Sequence, residues 1–214
     1  MRRAARPLAS ATTSDGSVRG RILSAAYAAF MERGFAGAST LEIATRAQVS
    51  KRELYAHFGS KQAMLQACIA HGAKLMSAPL EMPAAHDRDG LAAVLVAFGA
   101  TFMRVILGPQ VVAFYRLALN EAKRSPEVAK ALDTGGRGPI RFALVDTLAA
   151  AQEAGFIGAG DPSVMAGQFF SLLIGDLHVR VLLGLIPPPS AEEAASRARA
   201  AAQALFTLYP VDPS

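Results

Sequence analysis

The side chains most able to do chemistry sit together between residues 50 and 61. Lys51 and Arg52 are adjacent cations, and Glu53, Tyr55, Ala56, His57 and Lys61 follow them. Of the four histidines, His57, His71, His86 and His178, none has a metal-ligand partner at convincing helical spacing; Asp89, three residues after His86, falls in a loop-like stretch. The sequence has no Gly-rich phosphate loop, no G-x-S-x-G and no H-E-x-x-H. The chemistry on offer is therefore recognition rather than catalysis, with no cofactor and no metal expected. A lysine or arginine suits the guanine edge, a glutamate accepts from cytosine N4, and an alanine methyl can touch thymine. Hydroxyl, imidazole and ammonium groups suit phosphate oxygens.

Two short helices must position these groups. Ser39-Thr40-Leu41-Glu42 and Ser50-Lys51-Arg52-Glu53 both have the Ser-x-x-Glu form of a capping box, in which serine accepts from a backbone N–H and glutamate reaches back to the cap. Helices are predicted to begin at about 40 and 51, separated by Gln48, Val49 and Ser50. Ile43, Ala44, Ala47, Val49, Leu54 and Phe58 fall on faces that can meet, and Ala44 is small enough for a close crossing. Two helices joined by so short a turn form a helix-turn-helix, whose second helix enters the DNA major groove. Its exposed side would carry Lys51, Arg52, Glu53, Ala56 and His57. On this reading Lys51, Arg52, Glu53 and Ala56 face base edges, and Ser39, Thr40, Ser50, Tyr55, His57 and Lys61 hold phosphates. Glu53 has the capping role as its other candidate role. A first helix over about 17–33, striped by Ile22, Leu23, Ala26, Tyr27 and Phe30 and stopped at Gly34, completes a three-helix core.

The run Ile22-Leu23-x-Ala25-Ala26-x-x-x-Phe30-x-x-x-Gly34-Phe35, then Ser39-Thr40-x-x-Ile43-Ala44, then Val49-Ser50-Lys51-x-x-Leu54-Tyr55-x-His57-Phe58-x-Ser60-Lys61 closely resembles the N-terminal domain of TetR-family transcription regulators. The resemblance covers roughly residues 18–66. It departs at Gln48, where the family usually has glycine, and at Glu53, where it usually has a small or hydroxyl residue. A left-handed backbone costs a non-glycine residue about 1–2 kcal/mol, so a slightly reshaped turn is expected at Gln48. Tyr115-Arg116-Leu117, Glu121-Ala122 and Arg124-Ser125-Pro126-Glu127 look like an AefR-like C-terminal subclass. The resemblance implies a repressor released by a ligand, acting as a homodimer on a palindromic operator in double-stranded DNA. It also implies an apolar small-molecule effector.

Charge agrees with the placement of the motif. The net formal charge is +5, yet residues 1–65 hold ten Lys/Arg against four Asp/Glu while residues 66–214 hold twelve against thirteen. A local positive field is what non-specific DNA affinity needs. With 52% hydrophobic residues the chain can bury a sizeable core. No uncharged apolar run reaches the ~18–20 residues of a membrane span, and the N-terminus lacks the apolar core of a secretory signal, so a cytoplasmic location is expected. The lone Cys68 excludes an internal disulfide and is expected buried and inert.

The expected fold is all-α, with about nine or ten helices and no alternating β pattern. Residues 1–16, with Arg2, Arg3 and Arg6, form a disordered basic tail; 17–66 form the helix-turn-helix domain; 67–214 form a helical ligand-binding and dimerisation domain. Helices are expected over about 61–77, 90–107, 109–123, 138–154, a long apolar one over 162–185, and a last one over 191–209, with a short one at 125–135. Phe102, Met103, Phe114, Tyr115, Leu119, Phe142 and Phe169 could line an apolar cavity, or be ordinary core; His178 is a core histidine or a polar group in that cavity. Arg116 and Glu121 could pair. By the resemblance the last two long helices build the dimer interface, with Phe170, Leu173, Gly175, Leu177, Leu205 and Leu208 facing the partner. The alternative is an all-α small-molecule binder whose basic domain makes protein contacts, and a third reading is an enzyme with an unrecognised site.

Overall fold

The computed structural model describes residues 17–77, 82–123 and 138–211, with Pro126, Lys130 and Asp133 between the last two stretches. Among them are ten helices and no strand. The tail expected over 1–16 and nearly all of the short helix expected over 125–135 lie outside the described residues. The chain divides into two compact units, Met1–Ala73 with Ala113–Asp133, and Lys74–Val112 with Thr134–Ser214.

The first unit is built on serine caps. α1 spans Val18–Gly37, α2 Thr40–Ala47 and α3 Lys51–Phe58, and α4, Lys61–Ser77, runs on into the second unit. Ser17, Ser39, Ser50 and Ser60 each accept from the N–H three residues on, at 3.0–3.1 Å. Each such cap is worth about 1 kcal/mol. The helical part of α1 closes at Gly34, whose φ of 70° kinks the chain. That lets Phe35 fold back so that its ring centroid lies 5.6 Å from that of Phe30. Ile22, Ala26, Phe30, Ile43, Leu54, Met64, Leu65 and Ile69 are buried. Phe114, on the part of α6 (Pro109–Glu121) that belongs to this unit, packs its ring 5.0 Å from that of Tyr27. Cys68 is buried, its thiol 3.7 Å from the carbonyl of Leu23, and burial raises its pKa far above the usual thiol range. A thiol held neutral in this way is a poor nucleophile.

The second unit holds α5 (Arg88–Ile106), α7 (Gly138–Glu153), α8 (Pro162–Ile174), α9 (Leu177–Leu182) and α10 (Ala191–Leu208). α5 is long and apolar enough to cross a membrane. It is instead a core helix, with Leu91, Leu95, Phe98, Phe102 and Met103 buried. At Gly99 a Cβ would meet the side chains of Ala198, Leu173 and Phe169 at 3.1–3.3 Å, so glycine there lets α5 press closely against α8 and α10. Phe98, Phe102, Phe169 and Phe170 form one aromatic cluster with ring centroids 4.9–6.3 Å apart. Fully burying one such ring is worth about 1.5–3 kcal/mol.

The helix expected over 162–185 is two helices. Gly175 adopts φ 50°, which an L side chain rarely takes, and the chain turns there before restarting as α9. An apolar sequence without a proline concealed that break. Ser190 and Glu193 close a complete capping box at the start of α10, as the sequence predicts.

Candidate nucleic-acid interface

All ten residues expected to face DNA lie on α2, α3 or the caps and first turns beside them. Lys51, Arg52, Glu53, Tyr55, Ala56 and His57 are exposed on α3, while Leu54 and Phe58 turn inward and are buried. The seating of α3 follows from that division. Leu54 is fully buried, and Phe58 also receives the guanidinium of Arg19 at 5.0 Å from its ring centroid. On α2, Ile43, Ala44 and Ala47 are buried. Arg21 Nε donates to the carbonyl of Ala47 at 3.2 Å, tying the end of α2 to α1.

The turn is tight. Gln48 adopts φ 56°, ψ 47°, the only non-glycine with positive φ among the described residues. The reshaping expected for a non-glycine residue does not occur. The N–H groups of Gln48 and Val49 bond the carbonyls of Thr45 and Ala44 at 3.2 and 3.0 Å. These bonds hold the left-handed residue against its intrinsic cost.

The two capping boxes differ. At Ser50 the box is complete: Glu53 Oε2 accepts from the Ser50 N–H at 2.8 Å and from its hydroxyl at 2.9 Å. These bonds, the backbone one foremost, hold the Glu53 carboxyl below its ordinary pKa. At Ser39 only half the box forms, a correction to the expectation. Glu42 bonds Arg46 at 2.6 Å and lies 3.2 Å from Arg33 instead of returning to the cap. Glu32 completes that cluster by accepting two bonds from Arg46, at 3.0 and 2.6 Å, which lower its pKa. Sequence reading missed this cluster because Glu32 and Arg33 lie on a different helix from their partners.

Lys51 and Arg52 make no ion pair or hydrogen bond among the described residues. Tyr55 donates its hydroxyl to Thr40 Oγ1 at 3.3 Å, linking two of the expected phosphate ligands across the motif. Lys61 is half-buried at the start of α4, with Nζ 4.6 Å from the Phe35 ring centroid and 3.5 Å from the Ala36 carbonyl.

The residues expected to line a cavity are divided between the two units. Phe114, Tyr115 and Leu119 belong to the first unit; Phe102, Met103, Phe142, Phe169 and His178 belong to the second. Phe102, Met103 and Phe169 fill the second unit's core. Leu119 and Phe142 are 63% and 69% exposed, because α6 and α7 turn those positions outward, and so line no enclosed space. Tyr115 and His178 are half-buried. Glu121 is buried with Oε2 lacking a hydrogen-bond partner.

The expected dimer-facing set divides between core and surface. Leu173, Leu177 and Leu205 are buried in the second unit's own core. Phe170 packs against Phe98 and Phe102. Gly175 and Leu208 remain exposed, and beside them Val164, Leu172, Val179, Leu183 and Leu185 are 45–69% exposed. The row Met165, Phe169, Leu173, Leu177 and Val181, spaced by four, is the buried one, and the packing of the unit rather than any polar stripe in the sequence selects it.

A three-helix unit with a serine-capped helix-turn-helix and a free cationic face defines a DNA-binding regulator. Residues 22–68 match the model of the bacterial regulatory proteins of the tetR family, and residues 93–211 match the C-terminal domain of AefR-like transcriptional repressors. The chain belongs to the TetR family of transcriptional regulators. Among solved structures, it is similar to a TetR-family regulator from Mesorhizobium loti MAFF303099, 23% identical, with 92% of this chain and 98% of that one covered and a TM-score of 0.78. It is similar to the Flavonoid-responsive Regulator FrrA, 28% identical, with the same coverage and a TM-score of 0.78. It is also similar to a TetR regulator from Agrobacterium tumefaciens, 28% identical over 92% of this chain and 96% of that one, with a TM-score of 0.73. No curated protein matches the chain.

Proposed function

We propose that the protein is a ligand-released repressor that binds a palindromic operator as a homodimer in the cytoplasm. The domain over 17–66 holds the DNA and the region over 67–214 holds the ligand and the partner. The observation that carries this reading is the exposed start of α3, where Lys51 and Arg52 stand free of any acidic partner among the described residues. Lys51, Arg52 and Ala56 read base edges. Ser39, Thr40, Ser50, Tyr55, His57 and Lys61 hold phosphates. Glu53 serves first as the cap of α3, so its contact with a base is secondary.

A two-fold dimer presents two copies of α3 to half-sites about 34–36 Å apart, or a multiple of that. The exposed residues Val164, Leu172, Val179, Leu183, Leu185 and Leu208 supply an apolar face for the partner. Release requires an effector that binds the DNA-competent and DNA-incompetent geometries with different affinity. The flavonoid response in the name of one 28% identical relative supports an apolar small molecule in that role.

Selection of bound fragments from a random DNA pool, followed by titration of the recovered site, tests the reading. A palindrome is expected. Lys61→Ala should weaken all sequences alike and reduce the salt slope by about one, whereas Arg52→Ala should change sequence preference at one position by about 1–3 kcal/mol. Retention that vanishes with salt and selects no sequence would instead favour a small-molecule binder whose basic domain contacts protein.

A further inference from the structure

α5 and α10 run antiparallel, since Arg88 meets Phe206 at one end and Gly99 meets Ala198 further along. Their outer seam is a groove of about 620 Å³, within the range of small-molecule sites. Its lining is mostly apolar and small: Ala92, Ala93, Val96, Ala97 and Ala202, closed at one end by Phe206. The groove shares no residue with the apolar set expected from the sequence or with α3.

Its charges are arranged by position. At the Phe206 end the Arg88 guanidinium lies 4.5 Å from the ring centroid and donates to the carbonyl of Phe156 at 3.3 Å, so it is already engaged. Asp89 stands at that same end and repels an anion there. At the other end Arg199 makes no ion pair or hydrogen bond among the described residues, and the side-chain amide of Gln203 lies between. Arg199 and Phe206 are seven residues apart on one helix, about 10 Å at a rise of about 1.5 Å per residue. A guanidinium takes a carboxylate through two parallel hydrogen bonds.

We infer that this groove binds an elongated amphiphilic carboxylate, its head on Arg199 and its apolar chain along Ala92, Val96 and Ala202 toward Phe206. The charge layout sets the direction: at the Phe206 end Asp89 offsets the Arg88 cation, whereas Arg199 has no acidic neighbour in the lining. The site stands apart from the reading of α3, and neither depends on the other.

Calorimetric titration of the full-length protein with octanoate, butyrate and octanol tests it without DNA. Octanoate should bind more tightly than butyrate, for its longer apolar contact, and than octanol, for its charge. Arg199→Ala should weaken octanoate about tenfold or more while leaving octanol little changed. Arg199→Lys should restore part of the loss. Ala93→Phe, at an exposed position on the groove wall, should abolish both by filling the seam. Failure of octanoate to bind, or equal binding to the wild-type, Arg199→Ala and Ala93→Phe proteins, would overturn the assignment. So would a change of oligomeric state in Ala93→Phe by sedimentation, which would give the groove to a second copy of the chain. Circular dichroism of each variant checks that the helices remain.

Discussion

Glu53 illustrates how one side chain is claimed by two roles. The residue type alone allows it to accept from cytosine or to close a helix cap, and the structure commits its carboxylate to Ser50. Those bonds favour the ionised form and lower the folded-state pKa. The stabilisation is therefore present above the ordinary carboxylate pKa and is lost as pH falls through the depressed folded value. Glu53→Gln should remove that contribution, so the melting temperature followed by circular dichroism should fall less steeply on acidification than in the wild-type protein. An unchanged acid limb would show that the cap carries no net stability. The serine caps were legible in the sequence because a capping box is a local pattern of four residues. The fate of Glu42 was not, because Arg33 and Arg46 compete for it and only one of them lies on its own helix.

At the scale of elements, the turn between α2 and α3 is the part that holds the recognition helix in place. Gln48 sits in the left-handed region with nothing in its side chain to require it. Gln48→Gly should relieve the strain, stabilising the protein by about 1 kcal/mol after the greater backbone freedom of glycine in the unfolded chain is counted. Chemical denaturation measures this, and a loss of stability would mean that the Gln48 side chain contributes contacts of its own. Most helix limits agree with the sequence to within two residues, since serine, proline and glycine mark them directly. The exception is the break at Gly175. A glycine within an apolar helical run is compatible with either a continuous helix or a turn, and the packing of the segments on both sides selects between them.

For the whole molecule, the proposed partner face turns on which apolar residues the second unit leaves uncovered. Val179 and Leu183 are 57% and 69% exposed on and just after α9. Replacing both with glutamate should leave helical content unchanged, shift the protein to a monomer in sedimentation, and reduce operator affinity by at least about tenfold, because two linked recognition helices bind far more tightly than one. A dimer that survives the double substitution would move the interface elsewhere.

The sequence by itself determined the all-helical class, the helix-turn-helix and its cationic face, because caps, turn residues and adjacent charges are local and α3 has one apolar side only. Tertiary structure decided which leucines of the 162–185 segment are core and which are surface. That segment is apolar all round, so hydrophobic periodicity carries no phase; the contact with α5 at Gly99 and the packing against α10 supply it. The groove with Arg199 is a tertiary property for the same reason: its two walls lie a hundred residues apart and meet only when α5 and α10 pack.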